Sequence, residues 1–153
     1  MANTYRKVYL QIIFAVKNRE ALLDQSWRQE IFQYMTGIIN QRKHYSLAVN
    51  GHHDHVHLFL DYKGYELIED LVREIKKASS VYIKNNKFSP FKFEWQCGYG
   101  VFSHGYREKG IIIEYIRNQE SHHSRKSFRK EYMAFLKSYE IEFKNEYIFE
   151  FLD

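Results

Sequence analysis

The chain has 153 residues, of which 44% are hydrophobic and 18% aromatic, and this size and composition fit one domain with a substantial core. No apolar run approaches the ~20 residues of a membrane span, and the single cysteine excludes an intrachain disulfide framework and fits a reducing cytosol. The formal net charge of +4 permits a polyanionic partner without requiring one. We expect one domain over residues 1–153 in a cytoplasmic location, with its core over about 5–123 and a C-terminal helix and tail over about 124–153.

The first half of the chain alternates strand and helix signals. An almost wholly apolar run predicts a central strand over residues 8–15. A helix is expected over about 24–42, because its apolar residues recur at helical spacing. A second strand over 45–50, an Asn-Gly turn signal at 50–51 and a histidine-bearing strand at about 53–61 together predict a hairpin.

The second half begins with a long amphipathic helix. Its apolar residues recur at helical spacing over about 67–84. The only proline, Pro90, prevents this helix from continuing, and the aromatic run at 91–95 predicts a fourth strand. A third helix is expected over about 107–121, and a fourth is expected to start at Ser124 or Ser127.

This order of elements, β-α-β-β-α-β followed by helices, indicates the fold class. It is the α+β, ferredoxin-like (RRM-like) split βαβ arrangement, an antiparallel sheet with two helices on one face, here followed by C-terminal helices. We expect the opposite face of the sheet to be free for chemistry or a ligand. Because many unrelated functions share this fold, the function must be argued from the site.

Two histidines alternate with apolar residues in the third predicted strand. Side chains along a strand point to opposite faces with period 2, so His55 and His57 share one face while Val56, Leu58 and Leu60 point into the core. Two imidazoles at this spacing converge on one ion and form half of a metal site. The competing interpretation is a polar strand face with surface histidines.

Two histidines do not complete a metal site, and the nature of the ion stays open at this point. A zinc site would require a further cysteine or histidine, for which Cys97, His122 and His123 are candidates. A site that handles phosphate would more naturally take Mg²⁺ or Mn²⁺, with oxygen ligands and open positions for substrate.

The third predicted helix carries a candidate nucleophile. Tyr115 and Gln119 are four residues apart and therefore lie on one helical face. Beside a divalent cation, a phenolate is stabilised while a phosphate is polarised, and Gln119 could offer its amide oxygen to the same ion. With 13 tyrosines in the chain, most are packing or surface residues, and Tyr82, Tyr99 and Tyr106 are rivals for this role.

Three segments together resemble a known family. The segment 55–57 resembles the histidine-hydrophobic-histidine (HUH) motif of single-strand DNA nucleases. The segments 95–103 and 115–123 resemble the matching blocks of the single-tyrosine HUH transposases, which are the transposases of the simplest insertion sequences and are related to REP-associated tyrosine transposases. The similarity runs from the first predicted strand to about residue 136.

The resemblance implies an activity, a site and partners. The protein would be a DNA transposase that cleaves and rejoins single-stranded DNA through a 5′-phosphotyrosine intermediate, recognising hairpins at the ends of its element. His55 and His57 match the metal ligands, Gln119 the residue that completes the Mg²⁺ or Mn²⁺ site, and Tyr115 the nucleophile. The family also implies a homodimer, in which Tyr115 can act on the partner subunit's site, and a location in the prokaryotic cytosol or nucleoid.

Other residues and other functions are weighed beside this interpretation. An HUH nickase of the replication-initiator or relaxase type would use the same chemistry but usually has extra domains. A non-catalytic nucleic-acid-binding module would favour aromatic residues at the sheet centre, and a zinc-stabilised interaction protein would have a closed site.

Basic residues on the second long helix and near the N-terminus are candidates for contacts to DNA phosphates, namely Arg73, Lys76, Lys77, Lys84, Arg6 and Lys7.

Overall fold

A four-stranded antiparallel sheet forms the centre of the molecule in the computed structural model, which describes residues 3–152. The strands run in the spatial order β2-β3-β1-β4, as the split βαβ arrangement requires. The predicted α+β class is therefore confirmed. The strands are β1 (Tyr9–Ala15), β2 (Tyr45–Gly51), β3 (His55–Asp61) and β4 (Gly100–His104).

Five α-helices connect and follow the strands. Short 3₁₀ turns accompany them at Arg19–Ala21, Tyr106–Glu108 and Asn145–Tyr147. Within residues 3–152, no helix combines the length and the apolar character needed to cross a bilayer. The helices are α1 (Arg28–Gln41), α2 (Ile68–Asn85), α3 (Lys109–Arg117), α4 (Gln119–His123) and α5 (Phe128–Ser138).

One face of the sheet packs against α1 and α2. Ile12 of β1 lies opposite Leu58 of β3, and both side chains are fully buried in the main hydrophobic cluster. The apolar residues of α1 and α2 close this cluster from the other side, including Ile31 and Ile75. Burial of such residues is the dominant favourable term in folding, so this layer fixes the position of β3.

The opposite face of the sheet is also covered, contrary to the expectation that it would be free. Ile116 of α3 is buried against Tyr9 and Phe59 on this face. Phe135 of α5 stacks on Phe102 of β4 with ring centroids 4.9 Å apart. The helices that follow β4 therefore enclose the histidine face instead of leaving it open to solvent.

The predicted fourth strand at 91–95 was wrong, and the fourth strand is β4. Trp95 makes only an isolated bridge to Val16, and its ring packs edge-on against Phe14 and Phe93. Phe93 and Trp95 are buried by side-chain packing, which needs no backbone ladder, whereas Phe91 is exposed. The first residue of β4 is Gly100, where a Cβ would lie 2.5 Å from the hydroxyl oxygen of Tyr132.

The predicted helix at 107–121 is two helices that meet at Asn118. Asn50 of β2 donates from Nδ2 to the carbonyl oxygens of Ile116 and Arg117 at 3.0 and 3.1 Å, which satisfies the end of α3. At the last helix, Ser127 is the N-cap, because its hydroxyl accepts from the backbone N–H of Lys130. Ser127 was one of the two predicted starts.

Candidate active site

His55 and His57 lie at the centre of the face that α3, α4 and α5 enclose. Both side chains are fully buried, and their ring centroids are 5.1 Å apart. Phe128 of α5 stacks flat on His55 with a centroid separation of 4.0 Å. The sheet below and the aromatic ring above therefore fix the imidazoles in one orientation.

A second group of side chains orients the two imidazoles from behind. Oδ1 of Asp54, which is itself buried, lies 2.7 Å from Nδ1 of His55. Gln11 of β1 donates from Nε2 to Nδ1 of His57 at 2.8 Å. Such contacts to one ring nitrogen fix the ring orientation. The Nε2 atoms of both histidines consequently point into one shared space.

A buried carboxylate from α5 occupies that space. Glu131 is 1% exposed, and its Oε1 lies 3.1 Å from Nε2 of His57 and 3.3 Å from Nε2 of His55. It stands on the inward face of α5 beside Phe128 and Tyr132. The tertiary fold thus adds an acidic group to the histidine pair.

The short helix α4 supplies two further candidate metal ligands, Gln119 and His123. Oε1 of Gln119 lies 3.0 Å from Nε2 of His55 and 2.9 Å from Nε2 of His123. Nε2 of His123 is in turn 3.1 Å from Oε1 of Glu131. Three imidazoles, one carboxylate and one amide oxygen therefore converge, and the histidines with Glu131 form a group able to hold a metal ion.

Tyr115 of α3 reaches the same cluster from the open side. Its hydroxyl donates a hydrogen bond to Oε2 of Glu131, and its oxygen lies 3.4 Å from Nε2 of His122. The ring is half-buried at the base of a cleft of about 370 Å³. The cleft is also lined by His104, Glu108, Ile111, Ile112, His122, Lys126, Glu131, Phe135 and Tyr139, among others.

Electrostatic interactions couple these groups. Burial alone would lower the pKa of His55, but the contacts with Asp54 and Glu131 raise it to about 9. Burial lowers the pKa of His57, since its attraction to Glu131 does not compensate. The surrounding imidazoles hold the pKa of Glu131 well below its usual range despite its burial.

The pKa of the Tyr115 phenol is raised above its ordinary value of about 10 by burial and by the neighbouring charge of Glu131. A phenol in this environment is a poorer nucleophile than a free tyrosine. Positive charge placed among the imidazoles would lower the pKa of the phenol again and would make its oxygen a better nucleophile. The arrangement around Tyr115 therefore suits a site that works with a bound cation.

The donor set fits a divalent metal ion. Two ligands at right angles, each about 2.1 Å from an ion, are about 3.0 Å apart. Five pairs of candidate ligand atoms, each pairing an oxygen of Gln119 or Glu131 with an imidazole nitrogen of His55, His57 or His123, are 2.9–3.3 Å apart. Imidazole nitrogens with carboxylate and amide oxygens suit first-row transition ions such as Mn²⁺.

The structure brings together the four residues expected to form the site and separates several other candidates from them. His55, His57, Tyr115 and Gln119 lie in one cluster. Of the residues considered for a zinc site, His123 is in the cluster and His122 lies at its edge beside Tyr115, whereas Cys97 is exposed elsewhere.

The predicted DNA-contacting residues of α2 lie on the far side of the sheet from this cluster. Lys77 and Lys84 are exposed, and Arg73 pairs with Asp70 at 2.6 Å. Lys76 differs from the expectation of a solvated face, because it is partly buried and donates to the carbonyl oxygens of Gln96 and Gly98 at 2.9 and 2.7 Å.

The two candidates near the N-terminus also have partners within the chain. Arg6 donates from Nη1 to the carbonyl oxygen of Lys63 at 2.6 Å. Lys7 pairs with the buried carboxylate of Asp61 at 3.1 Å. Near the tyrosine, Lys126 lines the cleft and is a basic residue that the sequence did not single out.

Sequence reasoning missed Glu131, Asp54 and Gln11. Glu131 carried a usable signal, because it falls among the apolar positions of an amphipathic helix, where an acidic residue is rarely buried without a partner. Asp54 precedes the histidine strand and could have been considered on that ground. Gln11 carried no signal, since it matches the histidines only through the pairing of β1 with β3.

Comparison with known proteins identifies the family. Residues 4–119 match the model of the family described as "Transposase IS200 like". Because this match covers most of the chain, the chain belongs to the IS200-like transposase family. No curated protein matches the sequence.

Two solved structures share the fold. A crystal structure of a candidate transposase from Deinococcus radiodurans R1 is 23% identical, with a TM-score of 0.61 over 78% of this chain and 95% of that chain. A REP-associated tyrosine transposase bound to a REP hairpin is 17% identical, with a TM-score of 0.58 over 80% of this chain and 73% of that chain. At these identities, the two structures support the fold alone.

Proposed function

We propose that this chain is a metal-dependent transposase that cuts and rejoins single-stranded DNA through Tyr115. The observation that carries the proposal is the placement of the Tyr115 hydroxyl against the carboxylate that sits among the imidazoles. The nucleophile and the cation-binding group thus share one site, as transfer of a phosphodiester to a phenol requires.

In this proposal, His55, His57 and Gln119 hold Mg²⁺ or Mn²⁺, and Tyr115 attacks the scissile phosphorus. The bound cation polarises the phosphate and lowers the pKa of the phenol. The new bond joins the tyrosine oxygen to phosphorus, and the bond from phosphorus to the 3′ oxygen breaks. The phenol proton has an acceptor at its starting position, since Tyr115 already donates to Glu131. The leaving strand ends in a 3′-OH after taking up a proton.

The covalent intermediate explains how the strands can be rejoined. The phosphotyrosine bond retains the energy of the original phosphodiester, so a 3′-OH can attack it and release the tyrosine. No nucleotide cofactor is needed for that exchange. The sequence agrees, because it contains no glycine-rich Walker-type phosphate loop.

We also propose that the DNA carries a hairpin and that the protein acts as a homodimer in the cytosol. The REP-associated relative is bound to a REP hairpin, which supports the first point. Exposed basic residues on α2 can contact a stem at a distance from the cleavage site, because α2 lies on the opposite face of the sheet. Recognition and chemistry would then use different faces of the molecule.

A non-catalytic module that binds nucleic acid on its sheet is less well supported. Such a module needs an accessible sheet face on which bases can stack. In the described part of the chain, α1 and α2 cover one face, and α3 and α5 cover the other. The histidine cluster occupies the position where stacking aromatic residues would be expected.

The test is the formation of a covalent complex. The protein is incubated with labelled single-stranded DNA that carries an element end with its hairpin, and denaturing gels are scored for a protein–DNA band. We expect the band with Mg²⁺ or Mn²⁺, its loss in EDTA and its return when Mn²⁺ is added in excess. An undiminished band in EDTA would contradict the metal requirement.

The matched variants are Tyr115→Phe and Tyr106→Phe. Tyr106 is 71% exposed and stacks on Tyr9 away from the imidazoles, so its variant controls for loss of a hydroxyl. We expect Tyr115→Phe to bind the hairpin without forming the band, and Tyr106→Phe to form it normally. Persistence of the band in Tyr115→Phe would show that another residue is the nucleophile.

A further inference from the structure

We propose that Glu131 and His123 are metal ligands in this chain, and that Glu131 also holds the nucleophile Tyr115. The metal site would then comprise three imidazoles, one carboxylate and one amide oxygen, instead of two histidines and Gln119 alone. This inference rests on the proposed function for the role of Tyr115, whereas the ligand set can be tested without DNA.

The first argument is the burial of the Glu131 charge. The side chain is 1% exposed, and no lysine or arginine of residues 3–152 forms an ion pair with it. Its neighbours are imidazoles, the Gln119 amide and the Tyr115 hydroxyl. A carboxylate this deeply buried needs compensating positive charge. Among the residues that the structure describes, its only candidate cationic neighbours are imidazoles, whose nitrogens are also the atoms that a metal ion would bind, so a divalent ion among them would supply that charge.

The second argument is geometric. Oε1 of Glu131 is 3.1 Å from Nε2 of His57, 3.3 Å from Nε2 of His55 and 3.1 Å from Nε2 of His123. Adjacent ligands of a six-coordinate ion are separated by about 3.0 Å when the bonds are about 2.1 Å long. Oε1 therefore stands where a ligand adjacent to all three imidazoles would stand.

The third argument is that each ligand projects from a strand or helix of the fold and not from a loop. His55 and His57 project from β3, His123 from α4 and Glu131 from α5. His123 is held from its other side, since Nδ1 lies 2.7 Å from the carbonyl oxygen of Lys126. This contact directs Nε2 of His123 into the cluster, in the way that partners of a ligating histidine usually do.

The two oxygens of Glu131 have different partners. Oε1 faces the imidazoles, whereas Oε2 accepts hydrogen bonds from the Tyr115 hydroxyl and from Nε2 of Gln119 at 3.2 Å. A carboxylate bound to the ion through Oε1 would hold the phenol through Oε2. Occupancy of the metal site would thereby fix Tyr115 in position. Glu131 of α5 would be the residue that links the metal ion to the phenol.

The expanded ligand set also predicts the choice of ion. Three nitrogen ligands disfavour Mg²⁺, which prefers oxygen, and favour later first-row ions in the order Mn²⁺, Co²⁺, Ni²⁺. A site with two imidazoles and several waters would discriminate less. We therefore expect affinity to rise clearly along this series.

The test measures metal binding by the full chain without DNA. Calorimetric titration with Mn²⁺ and visible absorption of the Co²⁺ complex are compared for wild type, Glu131→Gln, His123→Asn and the control Glu108→Gln. Glu108 lines the same cleft but lies outside the ligand group. We expect Kd to rise at least tenfold in both cluster variants, with an altered Co²⁺ spectrum, and no change in the control.

The outcomes separate this inference from the proposed function. Mn²⁺ affinity and Co²⁺ spectra that stay at wild-type values in Glu131→Gln and His123→Asn, while His57→Ala loses binding, would overturn the inference and leave the function intact. Tight, Glu131-dependent binding without any covalent DNA complex would overturn the function and leave the ligand set intact. Thermal melts identify a variant that fails to fold, and His123→Asn then decides the question, because asparagine replaces the imidazole with a smaller polar group on the short helix α4.

Discussion

Gln11 and His57 are joined across neighbouring strands by a hydrogen bond from the amide Nε2 to Nδ1 of the imidazole, 2.8 Å long. This contact places the proton of neutral His57 on Nε2, where it points at Glu131. A metal ion needs the lone pair of that same Nε2, so metal binding requires the proton on Nδ1 and an amide oxygen facing it. The amide of Gln11 would meet this requirement by turning over, which would also exchange the contact of its Oε1 with Nε2 of His104, now 2.7 Å long.

Replacing Gln11 by leucine is therefore expected to weaken metal binding. Gln11→Leu removes the amide whose oxygen, once turned toward Nδ1, would hold the metal-binding tautomer of His57, and loss of such a partner typically costs about tenfold or more in affinity. The measurement is the Mn²⁺ dissociation constant of the folded chain. Gln33→Leu, at an exposed position of α1, is the control, and equal affinities in the two variants would contradict the role of Gln11.

The second prediction concerns which subunit's histidines Tyr115 serves. In this structure, Tyr115 contacts the cluster of its own chain, with 6.0 Å between its ring centroid and that of His57. When Tyr115→Phe and His57→Ala chains are co-expressed with different tags and purified as a mixed complex, we expect no covalent DNA band. A mixed complex of wild-type and Tyr115→Phe chains should give the band. A band from the doubly defective complex would show that the tyrosine acts on the partner subunit's site.

The third prediction separates two neighbouring lysines of α2. Lys76 binds the carbonyl oxygens of Gln96 and Gly98, so Lys76→Met should lower the free energy of unfolding by about 1–3 kcal/mol. Lys77 is exposed, so Lys77→Met should leave stability unchanged. If α2 contacts the hairpin, Lys77→Met should reduce the slope of log K against log salt concentration by about 1, because one fewer counterion is released from the DNA on binding. Denaturant titration and binding at several salt concentrations measure the two effects, and an equal loss of stability in both variants would contradict the assignment.

The fourth prediction tests the steric requirement for glycine at position 100. A methyl group at this position would lie 2.5 Å from the hydroxyl oxygen of Tyr132, so Gly100→Ala should destabilise the fold by about 1–3 kcal/mol. Gly37, in the exposed part of α1, has no neighbour within 4 Å of such a group. Gly37→Ala should stabilise the helix by up to about 1 kcal/mol. Thermal melts of both variants provide the test, and similar shifts of the same sign would contradict it.

Local periodicity was sufficient for several parts of this fold. The period-2 alternation of β3 placed His55 and His57 together on the face opposite Leu58. The four-residue spacing of Tyr115 and Gln119 brought both toward that face, although α3 ends between them at Asn118. The carbonyl contacts of Asn50 allow the break without separating the two side chains.

Other parts depended on contacts that no local pattern contains. The aromatic run at 91–95 has strand-like composition, but Phe93 and Trp95 are buried by side-chain packing, with Trp95 against Phe14, and β4 occupies the edge beside β1. Covering of the histidine face follows from the packing of α3 and α5, which connects residues far apart in sequence.

The sequence by itself determined the strand that carries the imidazoles, the helix that carries the phenol and the family to which they belong, because these features lie within short segments of fixed period. Only the tertiary structure decided that a carboxylate from α5 enters the cluster, that Gln11 orients His57 and that Lys76 is engaged in the fold. These relationships arise when strands pair and helices pack, since burial selects partners by position in space and not by distance along the chain.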